Sequence, residues 1–310
     1  MASDRMRRLL EQLRAVPIRP DTSLELQRAA FDQMAQTFPV PDDVNVQAVE
    51  ADGVPCEWVN ANGPADPAGD DARPVLVYLH GGGYVIGSAR SHRETVARFS
   101  RASGARALFV DYRLAPEHSC PAQVADVVTV YRWLLDQGVA GRDVVLTGES
   151  AGGGLTIATL VHLRESGLPR PAAAAVVSPW VDLTLTNRSH VDNLDDPLST
   201  PEVMDTYRRW FNPARTFDDP RVSPVFADLH GLPPVYVTAS RTERLRDDAV
   251  RLVERLRAAG VESDLDLLPD AVHAWTLFPH LPETTETVAR IADFLTARLS
   301  PGARPTQEAR

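Results

Sequence analysis

The chain contains no lysine: all 32 of its basic residues are arginine. That absence removes several chemistries at once, because a Schiff-base amine, the lysine of a phosphate-binding P-loop and a Ser-Lys dyad all need a Lys side chain. Cysteine is almost missing as well. Cys56 and Cys120 stand far apart with no paired-ligand spacing, which predicts two buried thiols rather than a disulfide or a metal site. No apolar run approaches the ~20 residues of a membrane span. The first 20 residues are broken by Arg5, Arg7, Arg8, Glu11 and Arg14 rather than carrying the apolar stretch of a leader, so a cytoplasmic location is the expectation. An excess of positive charge is also lacking. With a net charge of −10, nucleic acid and an anionic membrane are poor candidates for the main partner.

What is present is enough apolar residue, 44% of 310, to bury a substantial core as one large domain or a domain with an insertion. Met6, Leu9, Leu10 and Leu13 repeat at helical spacing, and Ala30, Phe31 and Met34 suggest a second helix after Pro20. Both are read as packed on the body of the protein; the basic character of the first gives a membrane-surface helix as the alternative. Val44 to Glu50 and Val54 to Asn60 flank Asp52-Gly53, a hairpin signal. Gly63 to Arg73 reads as a surface loop, and Ser300 to Arg310 as a frayed tail.

From Pro74 the pattern changes. Continuous apolar strands at 74–79, 107–110, 144–146 and 172–178 alternate with helices at 92–102, 121–137 and after Ser150, then resume with strands at 235–238 and 265–268 and helices at 247–259 and 283–299. Such alternation predicts an α/β fold with eight strands, the first two antiparallel and the other six mostly parallel, flanked by helices. Between Asp182 and Pro224 the alternation stops. That segment carries Asp192, Asp195, Asp196, Asp218 and Asp219, no strand-like run, and one clear helix start at Ser199-Thr200-Pro201-Glu202. An interruption of this length reads as an insertion of the kind that covers an active site.

Gly148-Glu149-Ser150-Ala151-Gly152-Gly153 sits where the strand at 144–146 meets the next helix. A Gly-x-Ser-x-Gly there forces a serine into a tight turn with its hydroxyl exposed, although three fixed positions alone are weak evidence. His80-Gly81-Gly82-Gly83-Tyr84 follows the strand at 74–79, and its uncovered backbone can bring N–H groups close to a ligand. Without Gly-x-Gly-x-x-Gly spacing or a following Lys, a phosphate cradle is the weaker reading and an oxyanion hole the better one. The base comes last in the chain order Ser, acid, His. Only His273 and His280 follow the last strand, and His273 lies one short loop beyond it; the other six histidines show no metal-site spacing.

The blocks His80-Gly81-Gly82-Gly83, Asp111-Tyr112-Arg113-Leu114-Ala115-Pro116-Glu117-His118 and Gly148-Glu149-Ser150-Ala151-Gly152-Gly153, in this order, resemble the hormone-sensitive-lipase-like α/β-hydrolases, bacterial carboxylesterases among them, over roughly residues 40 to 298. The resemblance implies an α/β-hydrolase fold with Ser150 as nucleophile and the N–H groups of Gly82, Gly83 and Ala151 as oxyanion hole. It also implies a helical cap built from about 1–40 and 182–224. Where the family has Asp-Pro-Leu, this chain has Glu243-Arg244-Leu245, so Glu243 takes the place of the acid, with Asp247 and Asp248 as rivals that otherwise start a helix. Tyr84, beside the glycines, and Tyr207, Trp210 and Phe211 of the insertion are candidates to line the pocket. The activity implied is serine-dependent hydrolysis of short- to medium-chain esters without cofactor or metal, the partner being a small-molecule ester. A lactone, acetyl or amide substrate, and a non-catalytic binding relative, are the alternatives; a homodimer is left open.

Overall fold

A computed structural model of the chain describes residues 2–15, 22–63, 73–193 and 196–299. Most of the loop read at 63–73 and the tail read at 300–310 lie outside the described residues. The hairpin forms as expected: β1 (Asn45–Ala51) and β2 (Val54–Asn60) are joined at Asp52 and Gly53, whose φ of 49° and 86° are the two left-handed positions of a type I′ turn. The remaining strands are β3 (Val75–Leu79), β4 (Arg106–Val110), β5 (Val144–Glu149), β6 (Ala173–Val177), β7 (Val235–Ser240) and β8 (Ser263–Leu268). They form one sheet in the order β1-β2-β4-β3-β5-β6-β7-β8, with β2 antiparallel to both its neighbours and every later pair parallel.

The apolar runs are continuous because both faces of the sheet are covered. Val75, Val77 and Leu79 pack with α4 (Ala122–Asp136), α5 (Ala151–Glu165) and α8 (Arg246–Ala258). Leu76 and Tyr78, one residue out of phase, pack on the opposite face with α3 (Ala89–Ser103) and α9 (Pro282–Thr296). Parallel strands place all their C-terminal ends along one edge, where the loops after β3, β5, β7 and β8 converge.

The two N-terminal helices form as α1 (Asp4–Ala15) and α2 (Leu24–Ala35). Met6, Leu9 and Leu10 are buried, and α1 is tied to the other end of the chain: the N–H and hydroxyl of Ser3 donate to Glu283, and Arg5 donates to the carbonyl of His280. The insertion holds a four-residue α6 (Ser189–Asp192), too short to leave a periodic signal, and α7 (Pro201–Phe211), which begins as read with Thr200 accepting from the Val203 N–H and proline in the first turn. Of the two thiols, Cys56 is buried but Cys120 only half-buried, so the expectation of two buried thiols holds for the first alone. Burial, helped by the Asp111 charge, pushes Cys56 up to about 12, and burial pushes Cys120 to about 11, which keeps both protonated and unreactive at neutral pH. No helix among the described residues is long and apolar enough to cross a membrane.

Candidate active site

Strand β5 delivers Ser150 into a left-handed turn, φ 55° and ψ −122°, and α5 starts at the next residue. A non-glycine residue there stores strain on the order of 1–3 kcal/mol, held by surrounding hydrogen bonds. The Ser150 N–H donates to the Val177 carbonyl at 2.9 Å, and the Ser150 carbonyl accepts from Trp180 at 2.9 Å and Gly154 at 3.1 Å. The flanking glycines are required by close approach: a Cβ on Gly152 would lie 2.0 Å from the Leu79 carbonyl oxygen, and one on Gly148 2.5 Å from it. The end of β3 thus runs against the turn, which brings the glycine loop beside the serine.

The loop after β8 carries His273 to Ser150, Nε2 to Oγ 2.9 Å, while Nδ1 lies 2.6 Å from Oε2 of Glu243. The other Glu243 oxygen accepts from the Ser178 hydroxyl at 2.9 Å and the Ser240 N–H at 2.7 Å. A carboxylate at Nδ1 holds the proton there and leaves Nε2 free to accept from the serine. The loop is anchored on both sides of the imidazole. Ala271 donates to the Ser240 hydroxyl, Val272 to the Met6 sulfur at 3.4 Å, and Ala274 to the same Ser178 hydroxyl that meets Glu243.

Both charged groups are buried, and the effects compete. Burial disfavours the imidazolium, but the hydrogen bond and charge of Glu243, with Asp196 and Glu149 behind it, outweigh burial and hold His273 above its ordinary value. Burial likewise raises Glu243, which the His273 contact only partly offsets. With His273 as the general base, which must be neutral, activity would be present above the raised imidazole value and lost as pH falls through it. A kcat/KM profile on an uncharged ester should therefore show one acid limb with its midpoint above about 6.5; a flat profile from pH 5 to 8 would remove His273 as the base.

Gly82 and Gly83, at φ 101° and 63°, line the same cavity as Ser150 and His273, and the Ala151 N–H heads α5 one residue beyond Ser150. The glycine loop is fixed from beneath by Glu149. This buried carboxylate accepts from the Gly81 N–H, from Tyr78 at 2.6 Å, and faces His92 Nε2 at 2.9 Å. From above, the ring of Tyr207 sits where a Gly83 side chain would be, 2.3 Å from its Cβ position, and its hydroxyl donates to Gln27 on α2. Tyr84 is not brought to the cavity. Its φ of 65° turns it back into the core, 2% exposed and stacked on Phe211 at 3.9 Å; Trp210 and Phe211 are likewise not among the lining residues.

The cavity holds about 890 Å³. Its walls are mainly apolar: Leu9 and Leu13 from α1, Phe31 and Met34 from α2, Val203 and Met204 from α7, with Leu277 and Phe278 beyond His273. His280 stands at the rim, stacked on Phe38 at 5.6 Å. The rival acids serve other ends: Asp247 accepts from the Ser189 N–H and Asp248 from the N–H groups of Val181 and Asp182. The one group of three or more potential metal ligands found among the described residues is Asp196, Glu243 and His273, with ligand atoms within 4.8 Å of one another. Those atoms are already engaged in hydrogen bonds, Asp196 by Ser199 at 2.5 Å and by the Arg244 N–H at 3.1 Å. Asp196 and the Glu149 and Gln27 contacts were not picked out from the sequence. For Glu149 a signal existed, an acid ending an otherwise apolar strand; for Asp196, one of seven aspartates between residues 182 and 224, there was none.

Comparison with known proteins agrees with this geometry. Residues 76–277 match a family described as having the alpha/beta hydrolase fold. An acetyl-hydrolase of Streptomyces hygroscopicus is 36% identical over 283 residues, 88% of this chain and 89% of that one. An esterase of Acinetobacter venetianus is 30% identical over 294 residues, 93% and 95% of the two chains. A crystal structure of an esterase from the bacterial hormone-sensitive lipase family superposes with a TM-score of 0.90 at 40% identity, covering 97% of this chain and all of that one.

Proposed function

This chain belongs to the α/β-hydrolase family, in its bacterial hormone-sensitive-lipase-like group, and is a carboxylic ester hydrolase; we propose that Ser150, His273 and Glu243 are its catalytic triad. The observation that carries the assignment is the unbroken chain of contacts from Ser150 Oγ through His273 to Glu243 at the wall of an apolar cavity. His273 Nε2 takes the hydroxyl proton as Ser150 Oγ bonds to the ester carbonyl carbon. The carbonyl oxygen becomes an oxyanion held by the N–H groups of Gly82, Gly83 and Ala151. His273 then returns the proton to the departing alkoxide, an alcohol leaves, and an acyl-serine remains. Water attacks it by the same steps, giving the carboxylic acid and free Ser150.

The cap in this reading consists of about 1–40 and 182–224, supported by the share of the cavity wall that α1, α2 and α7 supply. The apolar lining supports esters whose acyl and alcohol groups carry no charge, and a cavity near the upper end of ordinary ligand pockets supports medium-chain groups as well as short ones. The unpaired cysteines support a cytoplasmic setting. A p-nitrophenyl alkylphosphonate tests the assignment. It should release about one p-nitrophenolate per chain, leave its phosphonyl group on the peptide containing Ser150, and stop turnover. A label on another residue, or full turnover by the labelled protein, would discard it.

A further inference from the structure

Two carboxylates stand at the catalytic imidazole. Glu243 touches it, and Asp196, from the insertion, offers an oxygen within 4.8 Å of the ligand atoms of Glu243 and His273. Asp196 is 5% exposed and is held there by three donors: the Leu198 N–H at 3.2 Å, the Ser199 hydroxyl at 2.5 Å and the Arg244 N–H at 3.1 Å. The last donor depends on the sequence. Residue 244 occupies the position at which the resemblance leads one to expect proline, and proline has no N–H to give. The arginine side chain adds to the attachment, because its guanidinium donates to the carbonyls of Ser199, at 2.7 Å, and His190. Residue 244 therefore fastens the insertion segment carrying Asp196 directly beside the acid at 243.

We propose that Asp196 is a positioning residue whose charge stabilises the His273 imidazolium from beyond Glu243, and so sets the pH at which the enzyme loses activity. Buried opposite charge within this distance favours the protonated imidazole, in the ground state at low pH and in the transition state at neutral pH. The other charged groups around the imidazole are Glu243 on the loop after β7 and Glu149 at the end of β5, the latter engaged with His92. Asp270, three residues before His273, accepts from Thr242. On the far side of Asp196 the neighbouring charges are the Arg244 guanidinium and, beyond it, Glu202. The inference rests on His273 being the base.

The test is the pH dependence of kcat/KM from pH 5 to 9 for the wild type, Asp196→Asn and Asp196→Glu. In Asp196→Asn the acid limb should move down by about one pH unit. One unit below the wild-type midpoint, the variant would then keep about half of its plateau where the wild type keeps about a tenth. Asp196→Glu, which restores the charge, should move the limb back. A purely structural role would lower the plateau and leave the limb in place; an unmoved limb in a variant that melts cooperatively overturns the proposal. Should the asparagine variant not fold, Asp196→Ser removes the same charge and is read the same way. Failure of the underlying reading looks different: His273→Ala would then retain the wild-type rate.

Discussion

Ser150→Ala should lower kcat toward uncharged esters by about a millionfold, the scale seen when a serine-hydrolase nucleophile is removed. The size follows from the geometry. Oγ is the Ser150 atom that lies at hydrogen-bond distance from His273 Nε2, and without it no covalent bond to the acyl carbon forms. The oxyanion donors and the cavity remain, so a residual acceleration over water of about 10³ to 10⁴ should survive, with KM little changed. Stability is expected to shift by less than about 1 kcal/mol, because alanine meets the same φ of 55° that serine already tolerates and the backbone bonds to Val177 and Trp180 are untouched. The measurement is steady-state kinetics beside a thermal melt. A loss of tenfold or less in a folded variant would mean that the nucleophile lies elsewhere.

Glu243→Gln should cost about 10⁴ in kcat while preserving the volume of the side chain. One glutamate oxygen faces the His273 Nδ1 proton; the other accepts from both the Ser178 hydroxyl and the Ser240 N–H. An amide cannot satisfy both ends. If its NH₂ faces Ser240, two donors meet; if it faces His273, the ring must turn its acceptor toward residue 243, and Nε2 carries a proton it cannot accept from Ser150. Glu243→Asp keeps the charge but withdraws it by one methylene, so its loss should be smaller. Asp247→Ala should keep kcat within a few fold, since that carboxylate caps the Ser189 N–H instead. The reverse ranking of Glu243→Gln and Asp247→Ala would reassign the acid.

Strands β3 to β7 were legible because each is buried on both faces, which leaves a signal in consecutive residues, as at Val75–Leu79. Ser150 was legible for a related reason: a turn that tight against β3 excludes side chains at 148 and 152, and the glycines record it. His273 followed from order along the chain. Tyr84 misled because adjacency in sequence is not adjacency in space once φ is positive. Its neighbour Gly83 faces the cavity while Tyr84 lies against Phe211. Asp196 and Gln27 were invisible for the opposite reason. Each also meets a partner far away, Gln27 meeting Tyr207 across 180 positions and Asp196 meeting Arg244 across 48. No local pattern encodes a contact of that kind.

Ser3 closes on Glu283 across 280 positions, and Met6 receives the Val272 N–H beside the His273 imidazole. Docking of α1 is thus completed only when a segment 266 to 280 positions further along the chain is in place. Until then its apolar side, Met6, Leu9 and Leu10, lacks part of its native packing and the cavity beside Ser150 lacks the wall that α1 supplies. Pairings this distant carry a large loop-closure entropy and slow the search. A growing chain should acquire its sheet before it acquires its activity. Apolar surface left open between the two stages is the kind that favours aggregation during folding.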